Sequence, residues 1–400
     1  MKHPDQWALF GGKPTFAQPL HVGQLNLPQW DKIETTFRGI FERQWYTNHG
    51  PLAREFDIAF ARHLGVKHAI AVSNGTVALM VAARALGFEQ GEVIVPSFTF
   101  PATVQALSWA GLTPVFCDVS AATHTLTAEQ ARPLITPSTV AIAGVHLWGQ
   151  PCAPESLAAL AEEFGLALLF DAAHAVGCTH HGRPLGQFGD LATFSFHATK
   201  VVNAAEGGCI ATDDDELAAR ARTIRSFHPG EHYAAVTARI NGKMSEAQAG
   251  LALLSLAELE SNITANRSRH IIYQQRLGDL PGMRLLTPEA HDTSNHQYVT
   301  VVIDSERAGL SRDQLALLLD AENIMCRRYF APGTHQLPPF RDHPAYRTLS
   351  LPVTERLCRD VIVFPNGAPM TEDDVVKICD VVEALLRQAH TLRAKLERTG

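Results

Sequence analysis

The sequence predicts an α/β fold in which a large domain, built on a mostly parallel sheet, is followed by a small α+β domain. From about Glu55 onward, short β-prone apolar runs alternate with helical patterns rich in Ala and Leu. This alternation is typical of parallel strands joined by crossover helices. The runs are almost wholly apolar, which indicates strands that helices cover on both faces. A chain of 400 residues is also longer than one hydrophobic core usually spans.

The predicted large domain comprises residues 1–268 and includes an N-terminal arm. Its strands are expected at residues 69–72, 92–95, 114–118, 140–145 and 166–170. Helices are expected at residues 76–86, 102–110 and 154–164, and a further helix is expected to begin at the acidic run 213–216. Carboxylates suit the positive end of a helix, so that run requires no metal ion.

The predicted small domain comprises residues 269–400 and begins where the pattern changes. One long amphipathic helix, residues 245–268, is expected to link the two domains. A strand at 297–303 and helices at 311–321 and 371–393 then fit a small α+β unit.

Composition excludes several classes of protein. The net charge of −7 and the absence of a Lys/Arg cluster argue against a nucleic-acid partner. The seven cysteines are isolated, so they indicate buried thiols in a reducing compartment rather than a metal or redox pair. The chain lacks GxGxxG, GxxxxGK[ST] and HExxH, which argues against dinucleotide, P-loop and zincin sites, and no metal is expected. Without a signal-peptide pattern or an apolar run of membrane length, we expect a cytoplasmic protein with no membrane contact.

Two ionisable residues stand out against this background. Lys200 ends the otherwise uncharged run 191–200, so its amine either reaches solvent or lies in a pocket where desolvation lowers its pKa. Asp171 closes an apolar strand, where open α/β sheets place their ligands, although a helix N-cap is an equal alternative. An amine that holds the cofactor as a Schiff base and a carboxylate that keeps the pyridine nitrogen protonated are what a pyridoxal phosphate enzyme needs.

A turn between a predicted strand and a predicted helix suits the phosphate of such a cofactor. Residues 73–76 read Ser-Asn-Gly-Thr, so Gly75 and Thr76 can present N–H groups and a hydroxyl at the positive end of a helix. A plain N-cap would use the same residues. The run 96–101 closes the next strand, and one of its aromatic side chains could stack on a planar ring, although aromatics there more often belong to the core.

Taken in order, these segments resemble the nucleotide-sugar aminotransferases of the DegT/DnrJ/StrS family, which are fold type I (aspartate aminotransferase-like) pyridoxal phosphate enzymes. The similarity covers nearly the whole chain. It is carried by residues 9–14, 46–51, 73–76, 96–100, 171–174, 195–200, 241–246 and 351–355.

The resemblance implies a role for each site residue. Lys200 would anchor pyridoxal 5'-phosphate and move the proton, and Asp171 would pair with the pyridine nitrogen. His174 would lie near the phenolic oxygen, with a satisfied structural histidine as the alternative. The remaining cofactor contacts would come from Gly75, Thr76 and Ser195 at the phosphate, Phe100 on the ring face, and Asn241 reaching the phosphate of a neighbouring subunit. A homodimer with shared active sites is therefore expected.

The resemblance also implies the substrates. L-glutamate would donate the amino group to a nucleotide-linked keto-deoxy sugar, with Arg327, Tyr329 and His335 near the sugar nucleotide. Guanidinium groups pair well with phosphate, although either arginine of the pair 327–328 is at least as often a solvated surface residue. The expected acceptor is dTDP-4-keto-6-deoxy-D-glucose, which would yield the 4-amino-4,6-dideoxy sugar. The alternatives are a 3-keto isomer, a pyridoxal phosphate sugar dehydratase, and a catalytically silent regulator on the same fold.

Overall fold

The structure is a computed structural model that describes residues 2–227 and 234–399. Its fourteen described strands, in chain order, are β1 Leu20–His21, β2 His68–Val72, β3 Glu92–Pro96, β4 Thr113–Cys117, β5 Thr139–Val145, β6 Ala167–Asp171, β7 Thr179–His180, β8 Arg183–Pro184, β9 Leu191–Ser195, β10 Gly208–Thr212, β11 Met283–Leu285, β12 Val299–Ile303, β13 Ile324–Met325 and β14 Val361–Phe364. Its fourteen described α-helices are α1 Trp30–Arg43, α2 Pro51–Leu64, α3 Gly75–Ala85, α4 Pro101–Trp109, α5 Ala128–Ala131, α6 Pro154–Phe164, α7 Asp215–Arg225, α8 Glu246–Ala257, α9 Leu259–Leu277, α10 Ser305–Ala308, α11 Arg312–Ala321, α12 Pro352–Asp360, α13 Glu372–Arg387 and α14 Ala389–Thr399.

Seven strands form the main sheet, in the order β2-β10-β9-β6-β5-β3-β4. The pairs β9-β6, β6-β5, β5-β3 and β3-β4 are parallel, whereas β10 runs antiparallel to both β2 and β9. The predicted α/β fold with a mostly parallel sheet is therefore confirmed. The sequence analysis did not predict β10, which supplies the antiparallel exception.

Helices cover both faces of this sheet, because its strands send apolar side chains to each side in turn. In β2, Ala69 and Ala71 join a core with Phe56 and Phe60 of α2. The residue between them, Ile70, joins a second core with side chains from α3, α4 and α7 on the opposite face. Continuous apolar strands thus follow from burial on both sides, as expected.

The acidic run 213–216 begins a helix, as expected. Asp214 is the N-cap of α7, and its side chain accepts a 2.8 Å hydrogen bond from the backbone N–H of Leu217. Asp215 and Glu216 lie in the first helical turn, where negative charge meets the positive end of the helix dipole.

Two predicted long helices are each interrupted. The stretch 245–268 is divided at Glu258, which ends α8 and begins α9 with a non-helical backbone (φ −99°, ψ 3°). The stretch 371–393 is likewise divided at Gln388, between α13 and α14. The helical sequence pattern continues across both points because the flanking residues favour a helix. At Glu258 the packing partners change, since α8 packs against α1 and α2 whereas α9 packs against α13.

The C-terminal part is built on a three-stranded antiparallel sheet in the order β11-β12-β14. Its core contains side chains from α9, α11 and α13, together with Trp7 and Phe16 from the start of the chain. Strand β1 also pairs with β13 in parallel. The proposed division between residues 268 and 269 falls inside α9, and the N-terminal arm packs with the C-terminal core rather than with the main sheet.

Candidate active site

A cavity of about 580 Å³ lies where the carboxyl ends of β6 and β9 meet the amino ends of α3 and α4. Open α/β sheets bind their ligands at this edge. Among its lining residues are eight that the sequence analysis selected, namely Gly75, Thr76, Phe100, Asp171, His174, Ser195, Lys200 and Tyr329. The fold therefore brings together segments that are more than 250 residues apart in the chain.

Lys200 extends into this cavity from the turn that follows β9. Burial lowers the pKa of its amine to about 8, against the opposing influence of Asp171 and Tyr329. Its Nζ donates a 3.3 Å hydrogen bond to the hydroxyl of Tyr298. Of the two states considered for this lysine, the structure shows the desolvated one, in which a larger fraction of the amine is neutral near pH 8 than for an exposed lysine.

Asp171 is the last residue of β6 and is only 6% exposed. Its Oδ2 accepts a 2.7 Å hydrogen bond from the Thr103 hydroxyl, and its Oδ1 accepts one of 3.0 Å from the backbone N–H of Ala173. Burial raises the pKa of the carboxyl group, while these two hydrogen bonds and the Lys200 charge act in the opposite direction. The segment 172–178 forms turns and no helix, so Asp171 is not a helix N-cap.

His174 lines the cavity as a neutral imidazole. Burial, followed by the Lys200 charge, holds its pKa well below the usual value. The backbone N–H of Trp148 donates a 3.2 Å hydrogen bond to Nδ1, so the neutral ring carries its proton on Nε2. The ring also packs on Tyr298, with 4.4 Å between centroids.

The amino end of α3 forms an anion cradle with the end of β9. The N-cap Asn74 accepts a 2.9 Å hydrogen bond from the backbone N–H of Val77, whereas the earlier N–H groups of a helix have no partner within it. A Cβ atom at Gly75 would lie 2.8 Å from Cβ of Ser195 and 3.1 Å from its hydroxyl oxygen. Only glycine allows this approach, which leaves the hydroxyls of Thr76 and Ser195 beside free N–H groups at the wall of the cavity.

This arrangement fits pyridoxal 5'-phosphate. The cradle suits a phosphate monoester, Lys200 is a half-buried amine with a lowered pKa, and Asp171 is a carboxylate whose charge is supported by two hydrogen bonds. Phe100 lines the same cavity and is 56% exposed, with its ring 6.5 Å from that of Phe330. It is free to cover a planar ring on one face.

Three residues that the sequence analysis selected lie outside this lining. Asn241 accepts a hydrogen bond from Nζ of Lys243. Arg327 is exposed, and its backbone pairs with Val363. His335 is 2% exposed, with Nδ1 and the Ser97 hydroxyl 2.6 Å apart. This polar contact holds the ring outside the cavity lining. Within one chain, His335 is therefore not placed to contact a substrate in the cavity.

Sequence reasoning missed several residues of the site. Thr103, Tyr298 and Phe330 contact or flank the selected residues, and Trp148 packs on His174 from a backbone with φ of 60°. Tyr298 belongs to the run 297–303 predicted as a strand, but β12 begins only at Val299, so Tyr298 lies immediately before it. Thr103 lies in the first turn of a correctly predicted helix. The one sequence signal that could have identified Thr103 and Tyr298 is a polar side chain at the start of a helix or strand whose end lies at the ligand-binding edge of the sheet.

Across residues 2–227 and 234–399, no group of His, Cys, Asp and Glu has the arrangement of a metal site. Within the same residues, none of the helices is long and apolar enough to cross a membrane.

The fold and the site define a pyridoxal phosphate-dependent aminotransferase. The chain belongs to the DegT/DnrJ/EryC1/StrS aminotransferase family, which it matches over residues 30–383. The GDP-perosamine synthase of Caulobacter vibrioides is 37% identical over 346 residues, which cover 86% of this chain and 92% of that protein. The dTDP-4-amino-4,6-dideoxy-D-glucose transaminase of Shigella dysenteriae is 32% identical over 361 residues, which cover 87% and 97% of the two chains. The crystal structure of DesI in the presence of its TDP-sugar product is 43% identical and superposes with a TM-score of 0.93, covering 99% of this chain and 100% of DesI.

Proposed function

We propose that this nucleotide-sugar aminotransferase moves an amino group from L-glutamate to dTDP-4-keto-6-deoxy-D-glucose and forms the 4-amino-4,6-dideoxy sugar. One observation carries the proposal: a half-buried lysine with a pKa of about 8 shares a cavity with a buried aspartate and an anion cradle. The named products of the Shigella relative and the TDP-sugar product of DesI support the acceptor. A GDP-linked 4-keto sugar is the second candidate, because the Caulobacter relative is a GDP-perosamine synthase. A 3-keto isomer is the third.

Pyridoxal phosphate, when bound, supplies an aldehyde for the amino group and a ring that withdraws electrons from the neighbouring carbon. Gly75, Thr76 and Ser195 would hold its phosphate, and Phe100 would cover one ring face. Asp171 would hold the proton on the pyridine nitrogen, since two hydrogen bonds support its negative charge. His174 would present Nε2–H near the phenolic oxygen.

Lys200 would have two tasks. Its neutral amine would anchor the cofactor, and in the rest of the cycle the same amine would move a proton to and from the substrate carbon. A pKa of about 8 suits both tasks, because neither protonation state is rare near neutral to mildly basic pH. The presence of this amine favours transamination over the dehydratase and over a silent regulator.

The substrate side of the cavity is aromatic and short of positive charge. Tyr329 and Phe330 line it with Phe100, and their faces suit sugar rings. Lys200 is the sole Lys or Arg among the described lining residues, whereas glutamate and a nucleoside diphosphate carry carboxylates and phosphates. The cationic side chains that pair with these groups would therefore come from outside the lining. We propose the exposed Arg327 and residues of a second subunit for this role, and we no longer propose the buried His335.

A homodimer with shared active sites would supply that second subunit. One face of α1 and the segment before it form an apolar groove, whose lining includes Leu27, Trp30, Phe37 and Phe41, with Trp30 69% and Phe41 65% exposed. An exposed aromatic surface of this kind is typical of a subunit interface. Asn241 would then reach the phosphate of the partner. We also keep the cytoplasm as the proposed location, in line with seven free and buried thiols.

The test is a two-step assay on the reconstituted enzyme. Glutamate alone should convert the visible cofactor band to that of the pyridoxamine form and release one equivalent of 2-oxoglutarate per site. Separate additions of dTDP-4-keto, GDP-4-keto and dTDP-3-keto 6-deoxy sugars should then restore the band fastest with the first, and mass analysis should find the aminated product. Restoration by another sugar would change the acceptor only. Loss of water from the sugar without glutamate would identify a dehydratase, and no cofactor band at all would refute both enzyme activities.

A further inference from the structure

Tyr298 contacts two of the proposed cofactor residues with one side chain. Its hydroxyl accepts a 3.3 Å hydrogen bond from Nζ of Lys200, and its ring centroid lies 4.4 Å from that of His174. The ring also meets Trp148 edge to face at 5.4 Å. The tyrosine therefore fills the space between the amine and the imidazole at the cavity wall.

The residue before it is fixed to the turns that carry Lys200 and His174. The side chain of Gln297 donates a 3.1 Å hydrogen bond from Nε2 to the carbonyl oxygen of His174. Its Oε1 accepts another, also 3.1 Å, from the backbone N–H of Val201, next to Lys200. Gln297 is 2% exposed, so these bonds form away from solvent.

A second buried amide strengthens this attachment. Asn295 is fully buried, and its Nδ2 donates 2.9 Å hydrogen bonds to the carbonyl oxygens of His174 and Val176. The segment 295–298 therefore joins the turn after β6 to the turn after β9 from the C-terminal side of the chain. Buried, satisfied polar networks of this kind define one arrangement of the groups that they connect.

We propose that Tyr298 is a positioning residue for Lys200. Its hydroxyl binds the amine of Lys200 whenever that amine is not bound to the cofactor. The proposal rests on the proposed role of Lys200. A lysine side chain has four rotatable bonds and would otherwise sample several rotamers in a cavity of this size. A fixed acceptor beside His174 confines the free amine to the place from which it acts.

The hydroxyl is suited to this task because it stays neutral. Burial raises the pKa of Tyr298 above its usual value, so the phenol accepts from an ammonium group and donates to a neutral amine. The other ionisable groups around Lys200 are Asp171 and Tyr329, whose charges raise its pKa, together with His174, His197 and Glu206 in the cavity lining.

The test compares wild type with Tyr298→Phe as apoenzymes that capture pyridoxal phosphate covalently across a pH series. Borohydride reduction and peptide mass mapping locate the captured lysine. In wild type, capture at Lys200 should rise with pH through a midpoint of about 8, because the neutral amine reacts. Loss of the acceptor disfavours the ammonium form, so the variant midpoint should fall by roughly one pH unit. In the loaded enzyme, kcat should fall about tenfold while KM for glutamate stays within about twofold.

Tyr273→Phe is the matched control. Tyr273 is fully buried in the C-terminal core, where its hydroxyl donates a 2.8 Å hydrogen bond to the carbonyl oxygen of Pro365. This control should lose thermal stability and keep the capture midpoint. A second variant, Gln297→Met, releases the residue before Tyr298 and should lower the midpoint by a smaller amount.

Capture at Lys200 with an unchanged midpoint in both site variants would overturn the role of Tyr298 and leave that of Lys200 intact. An equal shift in Tyr273→Phe would also overturn it, because the effect would then be one of general destabilisation. Capture at another lysine would refute the role of Lys200 and the inference together.

Discussion

The hydroxyl of Thr103 donates a 2.7 Å hydrogen bond to Oδ2 of Asp171. The donor belongs to the first turn of α4 and the acceptor ends β6, so the bond joins a helix start to a strand end at the floor of the site. Burial by itself would favour the neutral acid, and this bond supports the charged form. The charge of Asp171 is thus maintained by a residue that need not touch the cofactor.

Thr103→Val should therefore change the pH dependence of the enzyme. Without the hydroxyl, the pKa of Asp171 rises further, so its charge is lost at a higher pH when the solution is acidified. The acidic limb of kcat/KM should move upward by up to about one pH unit, with a smaller loss of activity at pH 8 than at pH 6. Rates measured from pH 5 to 9 check this.

The control for that variant is Thr354→Val. It removes another hydrogen bond from threonine to aspartate, of 2.8 Å to Oδ1 of Asp118, outside the cavity lining. This protein should be less stable with an unchanged acidic limb. Identical profiles for Thr103→Val and wild type would show that the hydroxyl does not support the charge.

Lys200→Ala should abolish covalent capture of the cofactor and reduce turnover by at least about a thousandfold, because no other lysine lines the cavity among residues 2–227 and 234–399. Absorbance spectroscopy and a glutamate half-reaction measure the two effects. The exposed Lys377 in α13 provides the control, since Lys377→Ala should behave as wild type. Full turnover in Lys200→Ala would mean that another lysine anchors the cofactor and moves the proton.

Gly75→Ala should weaken binding of the cofactor through its phosphate. The added Cβ would lie 2.8 Å from Cβ of Ser195, so either the helix start or the strand end has to move away from the cradle. We expect a dissociation constant raised by about 10- to 100-fold, as for the loss of one or two charge-assisted hydrogen bonds. Fluorescence titration with pyridoxal phosphate measures this.

Gly39→Ala serves as its comparison. A Cβ there would meet the guanidinium end of Arg43, a flexible side chain that can turn aside. Cofactor affinity should match wild type in this variant. An unchanged affinity in Gly75→Ala would argue that the phosphate lies elsewhere.

The paired change Trp30→Glu and Phe41→Glu should convert the proposed dimer into monomers, since two charges would be placed in the middle of the apolar groove. Analytical ultracentrifugation reports the mass, and the monomer should bind the cofactor more weakly if Asn241 reaches the partner's site. Trp109→Glu changes a side chain that is 73% exposed on α4, away from the groove, and should leave the mass unchanged. A dimer that persists in the paired variant would place the interface on another surface.

Strands β2 to β6 and the central site residues could be predicted because their signals are local. The strand predicted at 69–72 is observed as His68–Val72, and that at 92–95 as Glu92–Pro96. Lys200, Asp171 and Gly75 also carry their own signals, namely a lone charge after an apolar run, a carboxylate at a strand end and a glycine before a helix. Each signal can be read within ten residues of sequence.

What could not be predicted depends on contacts between distant segments. The break at Glu258 reflects a change of neighbours along one continuous helical pattern. Tyr298 belongs to the site only because its neighbour Gln297, just before β12, is hydrogen-bonded to the turns after β6 and β9. His335 has the right chemistry for a sugar nucleotide, yet Ser97 holds it behind the wall, and local sequence contains no trace of that contact.

The arm at the start of the chain imposes an order on folding during synthesis. Trp7 and Phe16 are buried against side chains that lie between residues 273 and 392, and the N–H group of Ala8 donates to Glu322. At about 5 to 20 residues per second, the ribosome needs roughly 15 to 60 seconds to pass from these residues to the middle of that partner surface. The main sheet can form in that interval. The N-terminal arm reaches its packing partners only after residues 273–392 have been synthesised.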